Sequence, residues 1–445
     1  MSAGFTSWLA NLKQYSLVAL GFIHIGVGRG LHGTFGGFFV ALLDAFGWSR
    51  AVTAGALSLS IMVEGICHPV VGTLTDKLGG RKTLILGGLV LTTGLAFCAT
   101  IDSVWSFYFW VGIVSAAGIS LIGMVPHVAI ISRHYAHRKA TALGIAWAGG
   151  GVGIFLLVPA TAAMVSHWGW QSAYFGLALL VLVVVIPPVF WLIPTDYETP
   201  NHEQGAGHGS SHGKGRAVSG DGDWTVKQAL TNSSFWLLFT ARVLASLGNQ
   251  VIVTHQVAHA VDVGYPKIFA ASIFGIMGVV SIIGRIGFGY LADVMRREVV
   301  YTWVQLVSAV GTVALMATTD NSLPVFLYIY AVFYGLGQGS RALVLSAISI
   351  DVFKGKNFGA IFGYFTLSVG VGGAIGFGMI GAVASQFIHH HHDGRHPLRR
   401  FQALRRHRRL AWWVYLRRYA QLHGGIFDLA GLFDRFDIRS LAEHA

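Results

Sequence analysis

The residues of this chain that could do chemistry are few, and they sit where charge is costly. Arg285 lies inside the apolar run Ser281-Ile-Ile-Gly-Arg285-Ile-Gly-Phe-Gly289-Tyr-Leu-Ala-Asp293. A cation placed so deep in apolar sequence costs at least about 2.5 to 3.5 kcal/mol, so it is expected to face a cavity or a bound anion. Arg29, Glu64, Arg242 and Arg341 occupy comparable runs. Four positive charges against one negative make an interior suited to an anion. Glu64 and His68 are four residues apart, hence on one face of a helix. A carboxylate beside an imidazole that titrates near neutrality is a candidate for proton coupling, with a buried structural pair as the alternative. Tyr334 has a hydroxyl suited to a carboxylate or hydroxyl partner, or serves as packing. Arg242 and Arg341 read as structural, holding backbone carbonyls or snorkelling.

The elements that must position these residues are membrane spans. Of 445 residues, 54% are hydrophobic and 11% charged, and the mean hydropathy is +0.60; a soluble domain of this length does not have that composition. Apolar runs of spanning length fall near 16–43, 51–74, 83–101, 104–130, 140–165, 173–193, 234–258, 269–291, 299–318, 324–350 and 358–384. The first run is too long for a cleavable signal and reads as a span. With the N-terminus inside, fourteen Lys and Arg fall in inner segments and only Arg50 and Lys267 in outer ones. That asymmetry predicts a plasma-membrane protein, an inner membrane in a bacterium, with a cytoplasmic N-terminus. The net charge of +12 does not point to nucleic acid, because eleven of the 31 basic residues lie after residue 394 and the rest follow topology.

The stretch Glu64-Gly-Ile-Cys-His68-Pro-Val-Val-Gly72-Thr-Leu-Thr-Asp76 echoes the one around Arg285 at a constant offset of 217 residues. Two related halves follow: a bundle over 1–195, a linker rich in Gly, Ser and His over 196–230, and a second bundle over 231–386. After Gln386 the chain turns Arg- and His-rich, and 387–445 holds no twelfth span. Eleven spans would leave nine arginines outside, against the preceding topology. A reading-frame change in GC-rich coding sequence accounts for this; a tail that binds anionic lipid is the alternative.

The loop Gly72-Thr-Leu-Thr-Asp76-Lys77-Leu-Gly79-Gly-Arg81-Lys82, echoed by Gly289-Tyr-Leu-Ala-Asp293-Val-Met-Arg296-Arg297, resembles the signature loop of the major facilitator superfamily. The resemblance implies an all-α polytopic fold of two pseudo-symmetric six-helix halves, here lacking the twelfth helix, and a gate built on Gly72, Asp76, Gly79, Arg81 and Asp293. His134-Tyr135-Ala-His-Arg138-Lys139 before a small-residue helix is similar to the entry to helix 5 of monocarboxylate transporters. Further likeness lies at Phe46-Gly47-Trp48-Ser49-Arg50, His255 to Gly264 and Asp351-Val-Phe353-Lys-Gly355. That family places a carboxylate-binding arginine where Arg285 stands and an important lysine in helix 1, for which Arg29 or His32 can substitute. It also carries an aspartate where this chain has Ser281, which leaves Glu64 and His68 as either a replacement coupling pair or a buried structural pair. The implied function is secondary transport of a short monocarboxylate with a proton, across the bilayer, with no cofactor and no enzymatic step.

Other readings compete. An oxalate/formate-type antiporter would add a basic residue in the run 358–384, which has none. A metalloenzyme is invited by His134-x-x-His137 and His255-x-x-x-His259, yet topology puts the two pairs on opposite sides. A homologue that binds without transporting is the third.

Overall fold

The computed structural model describes residues 2–135, 138–193 and 223–392. Long helices make up almost all of it: α1 Ser2–Phe46, α2 Arg50–Leu78, α3 Gly80–Cys98, α4 Val104–His134 and α5 Lys139–Leu192. The short α6 Val226–Thr231 leads into α7 Ser233–Asp262, α8 Lys267–Val294, α9 Arg297–Ala317, α10 Val325–Val352 and α11 Phe358–His392. Among the described residues seven helices are long and apolar enough to cross a membrane by length and composition. Each of the eleven expected spans falls on helix, the fifth and sixth as two arms of α5. The arms part at Gly169, whose φ of +81° and ψ of 164° interrupt the helix in a region open to glycine.

Local sequence explains most boundaries. Ser49 caps α2 by accepting from the Val52 amide, and Ser103 with Ser106 forms a capping box at the start of α4. Gly79, at φ +86°, closes α2 and opens α3. The fourth span is not regular: Tyr108–Ser115 is a π-turn, and Gly123 breaks the helix again. Two boundaries differ from the expected domain limits. Helix α6 lies almost wholly within the segment expected to be linker, begun by the Thr225–Gln228 capping box, and α11 continues past 386 to His392. The linker residues 196–222, the tail 393–445 and His137 lie outside the described residues, as does any twelfth helix.

Small residues set the packing, as expected where helices meet without a hydrophobic gradient between them. In the first half, Gly26 and Gly153 bring the backbones of α1 and α5 together, and Gly118 lies on Leu91 between α4 and α3. His24 donates to the Val185 carbonyl at 3.2 Å, tying α1 to the second arm of α5, and its other ring nitrogen meets His127 at 3.2 Å. In the second half, Gly284 of α8 faces Leu336 of α10, and Gly311 of α9 faces Tyr334. Between the halves, α2 meets α11 at Gly65/Gly370, His68/Gly363 and Gly72/Gly359. Helix α5 meets α8 through Gly144 against the Arg285 carbonyl and Gly289 against Ala140. Both bundles belong to one compact unit, Met1–Gly378.

Candidate functional site

Arg285 stands on the seam of α8 with α5. Its guanidinium donates to the Trp147 carbonyl at 3.1 Å, and it pairs with no carboxylate among the described residues. A guanidinium has five N–H donors, so one carbonyl leaves most of them for something else. The room around it is made by glycine: Gly339 lies against its Cγ, and Gly151 of α5 approaches its Nη1. Ser281, one turn earlier, is buried with its hydroxyl on the Gly278 carbonyl, so it offers no charge to Arg285.

Across the interior, Arg29 is exposed although the α1 residues around it are buried. It packs on Gly150 of α5 and lies within electrostatic reach of Glu64, His32, His68, Arg242 and Arg285. Its exposure is therefore toward the space between the halves. Glu64 is held between two imidazoles: His32 Nε2 is 3.5 Å from Oε2, and His68 Nε2 is 4.0 Å from Oε1. Neither contact has hydrogen-bond geometry, and His32 Nε2 and His68 Nδ1 are buried without a hydrogen-bond partner. Thus His32, expected at the substrate, stands beside Glu64, the carboxylate expected to act with His68.

Tyr334 is completely buried, and its hydroxyl is engaged by Arg341 at 3.1 Å and by Asn249 at 3.3 Å. Arg341 also reaches Asn249 at 3.4 Å and lies over the Tyr334 ring, 5.1 Å from its centroid. Arg242 is buried, donates to the Ala342 carbonyl at 2.8 Å and lies 5.8 Å from the Phe365 ring centroid. These two arginines hold helices together. Asn249 had no charge or motif to mark it in the sequence.

The signature loop forms a second cluster. Asp76 accepts from the Gly359 and Ala360 amides at 3.0 and 2.7 Å, the free donors in the first turn of α11. Asp293 does the same for α5, accepting from Ala140 at 3.0 Å and from Thr141 through its amide at 2.7 Å and hydroxyl at 2.6 Å. Each carboxylate thus caps a helix of the opposite half, where the helix dipole favours negative charge. A Cβ at Gly72 would overlap the Gly359 carbonyl, and Gly79 supplies the turn. Arg81 is not brought to this cluster; its guanidinium lies 5.2 Å from the Phe190 ring centroid. The basic partners are Arg133 of α4, bonded to Asp76 and the Lys356 carbonyl, and Arg297, 3.7 Å from Asp293 and 2.7 Å from Asp351. Their signals were present, Arg133 at the end of the fourth span and Arg297 in the echo of the loop. Among the described residues no group of three or more His, Cys, Asp or Glu could hold a metal.

Two bundles of membrane-spanning helices, joined at one end by reciprocal caps, carry Arg29 and Arg285 between them with no carboxylate ion pair among the described residues, an architecture of the multi-pass transporter class. The chain matches the Major Facilitator Superfamily over residues 18–377 and belongs to that family. Its curated relatives include monocarboxylate transporter 12-B of Danio rerio, 27% identical over 339 residues, 71% of this chain and 69% of that one. Monocarboxylate transporter 13 of Rattus norvegicus is 26% identical over 376 residues, 83% of this chain and 80% of that protein. Among solved structures, the E. coli fucose:proton symporter aligns with a TM-score of 0.62 at 15% identity, covering 85% of this chain and 93% of that one. A proton:xylose symporter aligns at 0.61 and 13%, covering 85% and 91%. At these identities the structures speak for the fold alone.

Proposed function

We propose that the protein carries a short monocarboxylate, of the lactate or pyruvate kind, together with a proton across the plasma membrane, with its N-terminus and signature loop on the cytoplasmic side. The observation that carries this reading is Arg285: a half-buried guanidinium on the seam between the halves, with one carbonyl partner and most of its donors free. Its planar fork suits a carboxylate bidentately. Arg29, facing the same space from α1, supplies a second positive charge that draws the anion in. The names of the curated relatives agree with a monocarboxylate. Glu64, flanked by His32 and His68, is the group that takes the proton, and alternating access proceeds by rocking of the halves about the midplane site.

A second reading, exchange of a dianion of the oxalate class, draws on the presence of two cations, Arg29 and Arg285, where a monoanion needs one. Competition by oxalate against labelled lactate separates the two.

The test is substrate-dependent thermal stabilisation of the wild type, Arg285→Lys and Arg285→Ala, since a ligand stabilises only through the state it binds. Lactate or pyruvate should stabilise the wild type, stabilise Arg285→Lys only at much higher concentration, and leave Arg285→Ala unchanged. Wild-type-like stabilisation of Arg285→Ala by every monocarboxylate tried would remove the carboxylate role.

A further inference from the structure

We propose that a cavity inside the first bundle holds water and is the route by which protons reach Glu64, separate from the path of the substrate between the halves. This inference rests on the coupling role proposed above for Glu64. The cavity has a volume of about 50 Å³ and is lined by α1, α2, α3, α4 and the second arm of α5, with no residue from the second half. Space of about 10 to 15 Å³ suffices for one water, provided polar groups are there to hold it. Here His32, Ser60, Cys98, Ser115 and Tyr174 bring polar atoms to an otherwise apolar wall.

Three of those groups lack protein partners of ordinary strength. Among the described residues Ser60 makes no side-chain hydrogen bond and the side-chain partner of Ser115 is the Cys98 thiol at 3.8 Å, while His32 Nε2, buried without a hydrogen bond, faces Glu64 Oε2 at 3.5 Å. Buried polar groups short of partners, around a space of this size, are the condition under which internal water is retained. Ser60 lies one turn before Glu64 on the same face of α2, and His32 belongs to both places, lining the cavity while standing 3.5 Å from the carboxylate. A proton arriving from cavity water therefore binds the His32 imidazole at Nδ1 as its bond to the water oxygen breaks, and the proton on Nε2 passes to Glu64 Oε2, the ring regaining its first tautomer before the next transfer.

The placement of the wall fixes the direction. Ser60 is in the first half of α2, Cys98 ends α3, Ser115 is in the first half of α4, and Tyr174 opens the second arm of α5. All of these lie toward the end of the bundle remote from the Gly72–Lys82 loop. Ser115 also closes the π-turn, an irregularity that recurs at functional sites. The other titratable groups bearing on Glu64 are Arg29 from α1 and His68 and Cys67 from its own helix, while Arg242 of α7 bears on His68. From α4, Ser120 donates to its backbone carbonyl at 3.4 Å.

The experiment uses the full chain in proteoliposomes, with labelled lactate and pyruvate as probes, comparing wild type, Ser60→Leu and Ser60→Ala. Filling the cavity with Ser60→Leu should slow acid-driven uptake by about tenfold or more, as for loss of a proton-transfer path, and leave substrate exchange intact. Ser60→Ala, which keeps the room, should retain most of both. Unchanged uptake in Ser60→Leu overturns the proposal, as does an equal loss of uptake and exchange, which would mark a packing defect. If the wild type exchanges neither acid, the transport reading has failed, and Ser60→Cys in a Cys67→Ser, Cys98→Ser background decides the cavity alone. Capture of Ag⁺, a water-borne thiol-reactive ion small enough for a space of about 50 Å³, supports a water-filled route, and no capture overturns it.

Discussion

Arg242 and Arg285 carry the same guanidinium and differ in what surrounds it. Arg242 is closed in by the Ala342 carbonyl and the Phe365 ring, so its removal takes a charge-assisted hydrogen bond from a carbonyl that keeps only the helix and the Ser346 hydroxyl, at 2.7 Å. Arg242→Ala should cost about 1.5 to 3 kcal/mol of stability, the range for a hydrogen bond to a charged group, while lactate affinity in the surviving protein stays as in the wild type. Thermal unfolding in detergent, with and without lactate, reads both quantities. Equal stability, or a loss of lactate binding, would move Arg242 from the scaffold to the site. Glu64 offers a different separation, because exchange of substrate moves no net proton. Glu64→Gln should abolish acid-driven uptake of lactate and preserve lactate exchange; proton-driven uptake that survived would reduce Glu64, His32 and His68 to packing.

Among the elements, the reciprocal caps join the two halves at the loop end, and their loss is expected to favour parting there. Asp76→Ala deletes two acceptors at the start of α11 and leaves Arg133 without its carboxylate. A cap is worth about 0.5 to 2 kcal/mol, enough to shift a two-state equilibrium several-fold. Spin labels at Leu78 and Lys356 should therefore report a larger share of long distances in Asp76→Ala than in the wild type, and Asp293→Ala should act alike through α5. An unchanged distance distribution in both would mean that the caps do not hold this end shut. The loop was legible because its first glycine and its aspartate recur at a fixed offset, and the spans because their apolar runs are long. The merger of two spans into α5, the π-turn in α4 and the caps across the halves were not, since each depends on which backbone lies opposite. The candidate site divides the same way: a lone arginine in apolar sequence advertises itself, but His32 beside Glu64 is a tertiary fact. Tyr334 and Arg341 were visible as residues, whereas their mutual bond and its anchor, Asn249, were not.

For the whole molecule, the pseudo-twofold relation of the halves places α2 against α11 and α5 against α8, each seam narrowed by glycine. Backbones this close leave no space for a passage, so the loop end is shut along both seams, and transport requires them to part. Gly65 and Gly370 offer the place to test it, because a Cβ on either would lie 3.2 and 3.3 Å from the other's Cα, tighter than ordinary contact, so the two helices must give by a few tenths of an ångström to take side chains there. With that small separation made, cysteines at the two positions stand within reach of each other for a disulfide. In a background of Cys67→Ser and Cys98→Ser, the pair Gly65→Cys with Gly370→Cys should cross-link on oxidation. The cross-link should stop both acid-driven uptake and exchange of lactate, because alternating access needs the seam open in one of its states, and reduction should restore both. Each single cysteine variant should be indifferent to oxidant, which separates the cross-link from the bulk of the new side chains. If gel mobility shows the disulfide complete while exchange continues at its reduced rate, the α2–α11 seam does not open during turnover, and rocking of the two bundles is not how this protein moves its substrate.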